Sequence, residues 1–283
     1  MKKKLRRFGG ANDYNRKKAL QIRRDIVTLI HQAGCGHIGG DLSATDILVD
    51  LYYKQMNISP DNINDPNRDR FVLSKGHSVE ALYCILADRG FFPKEDLLTY
   101  SQFGSKYIGH PNNKINGIEM NSGSLGHGLS LCVGMALAGK KDGLSYRCYT
   151  VLGDGELAEG SVWEGVMAAS HYHLDNLTAI VDRNGLQISG STEDVMSQSR
   201  QEARWAAFGW NVISISGHDL KAVDYAVELA KRYKGKPTVI IAHTVKGKGI
   251  SFMENNPSWH HRVPSDEEYH HALVELEAQN DSE

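Results

Sequence analysis

Cysteine is scarce in this chain. Cys35, Cys84, Cys132 and Cys148 are scattered, with no C-x-x-C pair and no secretory context, so the spacing offers no disulfide framework. They read as reduced thiols of a cytoplasmic protein. Long hydrophobic runs are also missing: no segment approaches the roughly 18 consecutive apolar residues of a membrane span. The one basic cluster, Lys2 to Arg7, lacks the apolar stretch that follows it in a secretory signal and reads as a flexible, solvated end. Charge of one sign is absent too. The net value is -2 with both signs interspersed, which gives no case for a nucleic-acid surface. Nothing resembles a linker or an internal repeat. A chain of 283 residues can bury a substantial core, and 1–283 reads as one domain with a loosely attached N-terminal helical arm.

Periodicity supplies the architecture. Residues 13–32 carry a helical stripe through Leu20, Ile22, Ile26, Leu29 and Ile30. A glycine-dense segment, 33–40, leads into a second helix that runs through Tyr53. Arg70 to Leu73 is a short strand running into Ser74-Lys75-Gly76-His77, and helical spacing resumes over 78–87. Residues 101–124 form a polar excursion whose length is unusual for a compact domain and points to function. Gly123-Ser124-Leu125-Gly126-His127-Gly128 then opens a helix over 129–139. Beyond it, strands at 148–152, 177–182, 211–216 and 238–242 alternate with helices at 157–171, 199–207 and 220–233, and 268–277 suits a last helix. Alternation of this kind predicts an α/β fold, an open and mainly parallel sheet with helices on both faces.

Two polar residues thirty positions apart stand just beyond two of these strands: Asp154 in Gly153-Asp154-Gly155, and Asn184 in Asp182-Arg183-Asn184-Gly185. Either alone is an ordinary turn sequence. Together, separated by one helix, they emerge side by side at the carboxyl edge of a parallel sheet, where such sheets place ligands. Two hard oxygen donors there suit magnesium or calcium with positions left for phosphate oxygens.

The surrounding text narrows the reading. Gly36-His37 with Gly39, Ser74-Lys75-Gly76-His77, Gly109-His110-Pro111, Gly123-Ser124-Leu125-Gly126, Gly153 through Gly160, Asp182 through Leu186, and Lys246-Gly247-Lys248-Gly249 leading to Trp259-His260 occur in order along almost the whole chain. This set resembles the diphosphate-binding domain of the transketolase group of thiamine diphosphate enzymes. The resemblance implies that Asp154 and Asn184 bind Mg2+ or Ca2+ through side-chain oxygens and Leu186 through its carbonyl. It implies that Gly123, Ser124, Leu125 and Gly155 bring backbone to the diphosphate of thiamine diphosphate, aided by a helix start. Glu159 is expected just behind the metal's direct ligands or near a contact with another chain.

Of 13 histidines, four match the family's active-site imidazoles: His37, His77, His110 and His260. The resemblance implies that His77 and His260 also touch the cofactor. His77 and His110 would bond sugar hydroxyls, and His37 and His260 would assist proton transfer, work that suits a group titrating near neutrality. His127 is a further candidate. His260 is followed by His261 where the family commonly has glycine, which leaves either imidazole able to face the site. Lys246-Gly247-Lys248-Gly249 lacks Walker order and reads as a phosphate grip or a mobile, solvated loop.

Full-length members also carry a pyrimidine-binding domain, with the glutamate that activates the cofactor, and a C-terminal domain. The chain ends at Glu283, which implies a split enzyme: a second, C-terminal transketolase subunit supplies that glutamate, in an α2β2 assembly acting on sugar phosphates. The expected reaction moves a two-carbon ketol group from a ketose phosphate to an aldose phosphate. The alternatives are a two-component enzyme for an unusual sugar or a keto-acid donor, such as a deoxyxylulose phosphate synthase-like one, and a non-catalytic regulatory homologue.

Overall fold

The structure is a computed structural model that describes residues 2–281, with side chains over 13–279. Its centre is a sheet of five parallel strands. In chain order the elements are α1 (Lys2–Ala33), α2 (Ile38–Asp50), β1 (Arg70–Leu73), α3 (Val79–Asp88), α4 (Gly128–Lys141), β2 (Cys148–Gly153), α5 (Gly160–His171) and β3 (Leu177–Arg183). A small hairpin follows, β4 (Leu186–Gln187) and β5 (Gly190–Ser191), then α6 (Thr192–Met196), α7 (Gln201–Ala207), β6 (Asn211–Ser216), α8 (Leu220–Arg232), β7 (Thr238–His243) and α9 (Asp266–Asp281). The strand order is β1-β2-β3-β7-β6, every pair parallel.

The central strands are apolar along their length because both faces are covered, as parallel sheets require. Alternate side chains go to opposite cores. Tyr149, Val151, Ile180, Ile240 and Ala242 join the core built with α1, α2, α3, α8 and α9. Cys148, Leu152, Ala179, Val181, Val239 and Ile241 join the one built with α4, α5 and Trp205 of α7. The expected α/β class with helices on both faces is what the chain adopts. From Ala19 onward α1 is core: Ile22, Ile26, Val27 and Ile30 are fully buried, so this stretch is not a loosely attached arm. The side chains of the basic cluster Lys2 to Arg7 lie outside the described residues.

One expected helix is broken. The segment read as a helix over 157–171 is a 3-10 turn, Gly155–Ala158, then an extended Glu159 (φ -72, ψ 127), then α5. The turn is held by the Asp154 side chain, which accepts from Gly155 N, and by Glu156, which points into the protein. The excursion at 101–124 has no helix or strand, as its composition suggested.

Candidate active site

Four adjacent strands deliver the site. Gly153 of β2 is level with Asp182 of β3, and Asp182 is level with Ala242 of β7, while Leu73 of β1 pairs with Val151. The segments following these strands, Ser74 to His77, Asp154-Gly155, Asn184-Gly185 and Val245-Lys246, therefore leave the same edge of the sheet. They surround a cavity of about 390 Å3. Its wall includes Asp154, Asn184, Leu186, Gly155 and Glu159, together with His37, His77, His260, Gly123 and Leu125. His110 stands exposed at the rim, its ring 6.4 Å from that of His37. Ser124 and His127 are exposed and take no part in the wall, and His127 Nδ1 lies 3.2 Å from Leu125 O.

The Asp154 carboxylate accepts from two backbone amides, Gly155 N at 2.9 Å and Gly185 N at 2.6 Å. Burial, and then the charge of Asp182, push its pKa up to about 6. The Lys75 charge acts in the opposite sense without offsetting the burial. The Asn184 amide is oriented by its surroundings: Nδ2 faces Ser43 Oγ and Asp182 Oδ2, each at 3.4 Å, and Oδ1 accepts from Leu186 N at 3.1 Å. The Asp154 carboxylate, the Asn184 amide oxygen and the Leu186 carbonyl are the hard oxygens this edge could offer to magnesium or calcium. No group of three or more His, Cys, Asp or Glu residues suited to a metal occurs among the described residues. A set of this composition is a different kind of site.

Two glycines of the loop before α4 are fixed by the side chains packed against them. Gly123 has φ +129, and a Cβ there would lie 2.4 Å from the His110 ring. Gly126 has φ +85, and a Cβ would lie 2.7 Å from Glu159 Cβ. Both positions need glycine. Gly153 differs: a Cβ there would make only ordinary contacts, 3.8 Å from Lys75 Cβ and 3.9 Å from Glu156 Cβ.

Three imidazoles form a triangle, with ring centroids 5.3 Å apart for His37 and His77, 5.6 Å for His37 and His260, and 5.4 Å for His77 and His260. Burial is the main cause lowering all three. It takes His37 to about 4, His260 to about 3 and His77 well below its usual value, with the charges of Lys75 and Lys246 acting in the same sense. All three are neutral at physiological pH, able to donate from one ring nitrogen and accept at the other. Lys246 Nζ donates to His260 Nδ1 at 2.8 Å, which puts the ring proton of His260 on Nε2. Between the two candidates, His260 lines the cavity and His261 is exposed, although the His261 ring lies 4.4 Å from that of His37.

Several residues escaped the sequence reading. Lys75 and Asp182 form an ion pair at 2.5 Å whose side chains are 1% and 0% exposed. Ser43 at 2.6 Å and Thr244 at 2.5 Å donate to the same carboxylate, and Lys75 also donates to Gly40 O. Burial raises the Asp182 pKa, but these partners outweigh it and hold the group below its usual range. Glu156 ties three segments of the site together. It accepts from Ser74 Oγ, from Gly126 N at 2.8 Å and from Gly153 N at 3.0 Å. Both Lys75 and Glu156 stand inside the quoted motifs, yet no spacing announces their partners. Lys246 is a correction to the solvated-loop reading. It is 2% exposed and lines the cavity, and burial together with Lys75 lowers its pKa to about 8. No carboxylate pairs with it among the described residues, so it is a cation available to an anionic ligand.

Comparison with known proteins agrees with this geometry. The family described as transketolase, thiamine diphosphate binding domain, matches residues 15–276. A subunit of the apulose-4-phosphate transketolase of Phocaeicola vulgatus is 48% identical over 254 residues, 90% of each chain. The 6-deoxy-6-sulfo-D-fructose transketolase subunit SqwG of a Clostridium species is 44% identical, across 90% of this chain and 94% of that one. The transketolase of Campylobacter jejuni superposes with a TM-score of 0.86 at 32% identity, covering 93% of this chain but 42% of its own. With the edge-of-sheet oxygen donors, the glycine loops and the neutral histidine triangle in place, the chain belongs to the transketolase family, whose thiamine diphosphate-binding domain it provides.

Proposed function

We propose that this chain is the diphosphate- and metal-binding subunit of a two-component transketolase whose donor or acceptor is an unusual sugar phosphate. The observation that carries the reading is coverage. The chain matches individual subunits of transketolases for apulose 4-phosphate and a sulfofructose over 90–95% of their length, and human transketolase over 38%. These relatives favour the unusual-sugar alternative over a transketolase of ordinary ketose and aldose phosphates. One domain over 1–283, a cytoplasmic setting and an α2β2 assembly complete the proposal.

Asp154, Asn184 and the Leu186 carbonyl would hold Mg2+, with Ca2+ satisfying the same donors. Gly123, Leu125 and Gly155 would meet the diphosphate through backbone, Lys246 would add its charge, and Glu159 would stand at the edge toward the partner. When bound, thiamine diphosphate supplies the carbon nucleophile that carries the two-carbon ketol group. The chain's own residues orient and move protons. His77 and His110 bond sugar hydroxyls, and His37 and His260, neutral and each with an acceptor and a donor nitrogen, exchange a proton with the acceptor carbonyl oxygen. The activating glutamate comes from the C-terminal transketolase subunit.

The test is co-purification with that partner, then a screen of donors and acceptors with thiamine diphosphate and Mg2+, including branched and sulfonated sugars. Preferred turnover of an unusual sugar is expected; exclusive use of ordinary pentose and heptose phosphates would overturn the substrate assignment. Asp154→Ala is expected to abolish activity of the assembled enzyme and weaken metal-assisted cofactor binding in calorimetry. Unchanged affinity and turnover would remove the metal site.

A further inference from the structure

Two buried carboxyls have no part in the scheme above, yet they touch its first histidine. Asp41 lies in the first turn of α2 and Glu80 in the first turn of α3, and both are 0% exposed. Their oxygens can be accounted for one by one. Asp41 Oδ1 accepts from Ala81 N at 2.9 Å. Glu80 Oε1 accepts from Tyr100 OH at 2.6 Å and from the His37 backbone N at 3.3 Å. Asp41 Oδ2 and Glu80 Oε2 are left, both buried and with no N–H or O–H donor. Ala81 adjoins Glu80, so the amide that binds Asp41 brings the two carboxyls together, and the Glu80 charge raises the Asp41 pKa. Two carboxylates are acceptors only, so a bond between them requires a proton.

We infer that Asp41 and Glu80 share one proton and, as a unit, are the positioning device for His37. The inference rests on the proposed role of His37. A single negative charge spread over the pair faces the starts of two helices, whose dipoles favour it. A second charge has no such support. The cation whose charge reaches Asp41 is Lys75, already bound to Asp182. The other titratable groups facing the pair are His37 and Cys35 from the turn before α2, Tyr83 and Cys84 from α3, and Tyr100 from the turn after it. Burial raises both carboxyls, Asp41 most, and the pair titrates as a unit.

The geometry says what the pair positions. Gly36, at φ +149, packs so tightly that a Cβ would lie 2.6 Å from Glu80 Oε1 and 2.5 Å from Ile30. The Gly36-His37 turn is thus seated directly on the Glu80 carboxyl. Tyr100, held by the same oxygen, immediately precedes the 101–124 excursion that carries His110, and Tyr83 of α3 donates to the carbonyls of Ile108 and His110 at 3.0 and 3.1 Å. Loss of the shared proton at alkaline pH sets two buried carboxylates against each other under His37. An acid whose folded pKa is raised binds more protons folded than unfolded, so its contribution to stability is lost as pH rises through the folded value.

The test begins with this chain free of cofactor. Its infrared spectrum at neutral pH is expected to show the carbonyl band of a protonated carboxylic acid, and Glu80→Gln and Asp41→Asn are each expected to remove it. In either variant an amide N–H replaces the shared proton. In the enzyme assembled with its partner, Glu80→Ala is expected to lower kcat about tenfold or more through misplacement of His37. Glu80→Gln should restore kcat and move the alkaline decline of activity to higher pH. A band unchanged by both amide variants, or an alkaline decline identical in Glu80→Gln and wild type, would overturn the pair. A wild-type complex without ketol transfer would instead defeat the proposed function and leave the infrared result standing.

Discussion

Asp182 and Lys75 illustrate what one residue costs when its partner is removed. Both are out of water, and the pair is tolerable because Ser43, Thr244 and the Gly40 carbonyl satisfy the remaining donors and acceptors. Lys75→Ala leaves an uncompensated buried carboxylate beside Asn184 and is expected to destabilise the folded chain by about 3–5 kcal/mol in denaturant titration. Near-wild-type stability would mean that water or another cation enters. His37 gives a pH dependence with a definite sign. Its pKa falls from 6.5 to about 4, so between those values the unfolded chain binds more protons than the folded one. Stability is therefore lost as pH drops through that window. His37→Asn is expected to flatten this loss in thermal melts without cofactor; an unchanged slope would place the effect elsewhere.

At the scale of elements, the strands were legible because their apolar runs end where the sheet ends: 211–216 is β6, and 177–182 falls one residue short of β3. The helix over 157–171 was not. Glu156 turns inward to bond Ser74, Gly126 and Gly153, and these distant partners break the helix that local periodicity favours. The loop after β7, read either as a phosphate grip or as a solvated loop, could not be decided from the sequence for a related reason. Its charged, glycine-rich composition suggests solvent, but Gly247 N donates to Gly39 O at 3.0 Å and Asn255 N to Lys246 O at 2.9 Å, which folds Lys246 into the cavity wall. Gly247 sits at φ +77, and a Cβ would lie 2.3 Å from Met253 O. Gly247→Ala is expected to cost about 1–3 kcal/mol and to weaken thiamine diphosphate binding by displacing Lys246. Wild-type affinity in calorimetry would separate the loop from the diphosphate.

For the whole molecule, the site is open on the side where Glu159 and Ile188 are exposed. The proposed function takes its activating glutamate from the C-terminal partner. The rigorously purified chain is therefore expected to show little or no ketol transfer, and addition of the C-terminal partner should restore it. Robust turnover by the chain alone would defeat the two-component reading. Among the described residues no helix is long and apolar enough to cross a membrane, as the missing apolar runs had indicated.

The sequence by itself determined the layered α/β architecture and the metal-binding candidates Asp154 and Asn184, because each is written in local spacing: an apolar run, a turn, a polar residue at its end; the four histidines were singled out by resemblance to the transketolase group. The tertiary structure decided the rest. Lys75 meets Asp182 across 107 positions, Ser74 meets Glu156 across 82, and the Asp41 and Glu80 carboxyls meet where two helices begin. Buried charge must find its partner wherever the fold brings one, so its pairing follows the packing of elements and leaves no period in the chain.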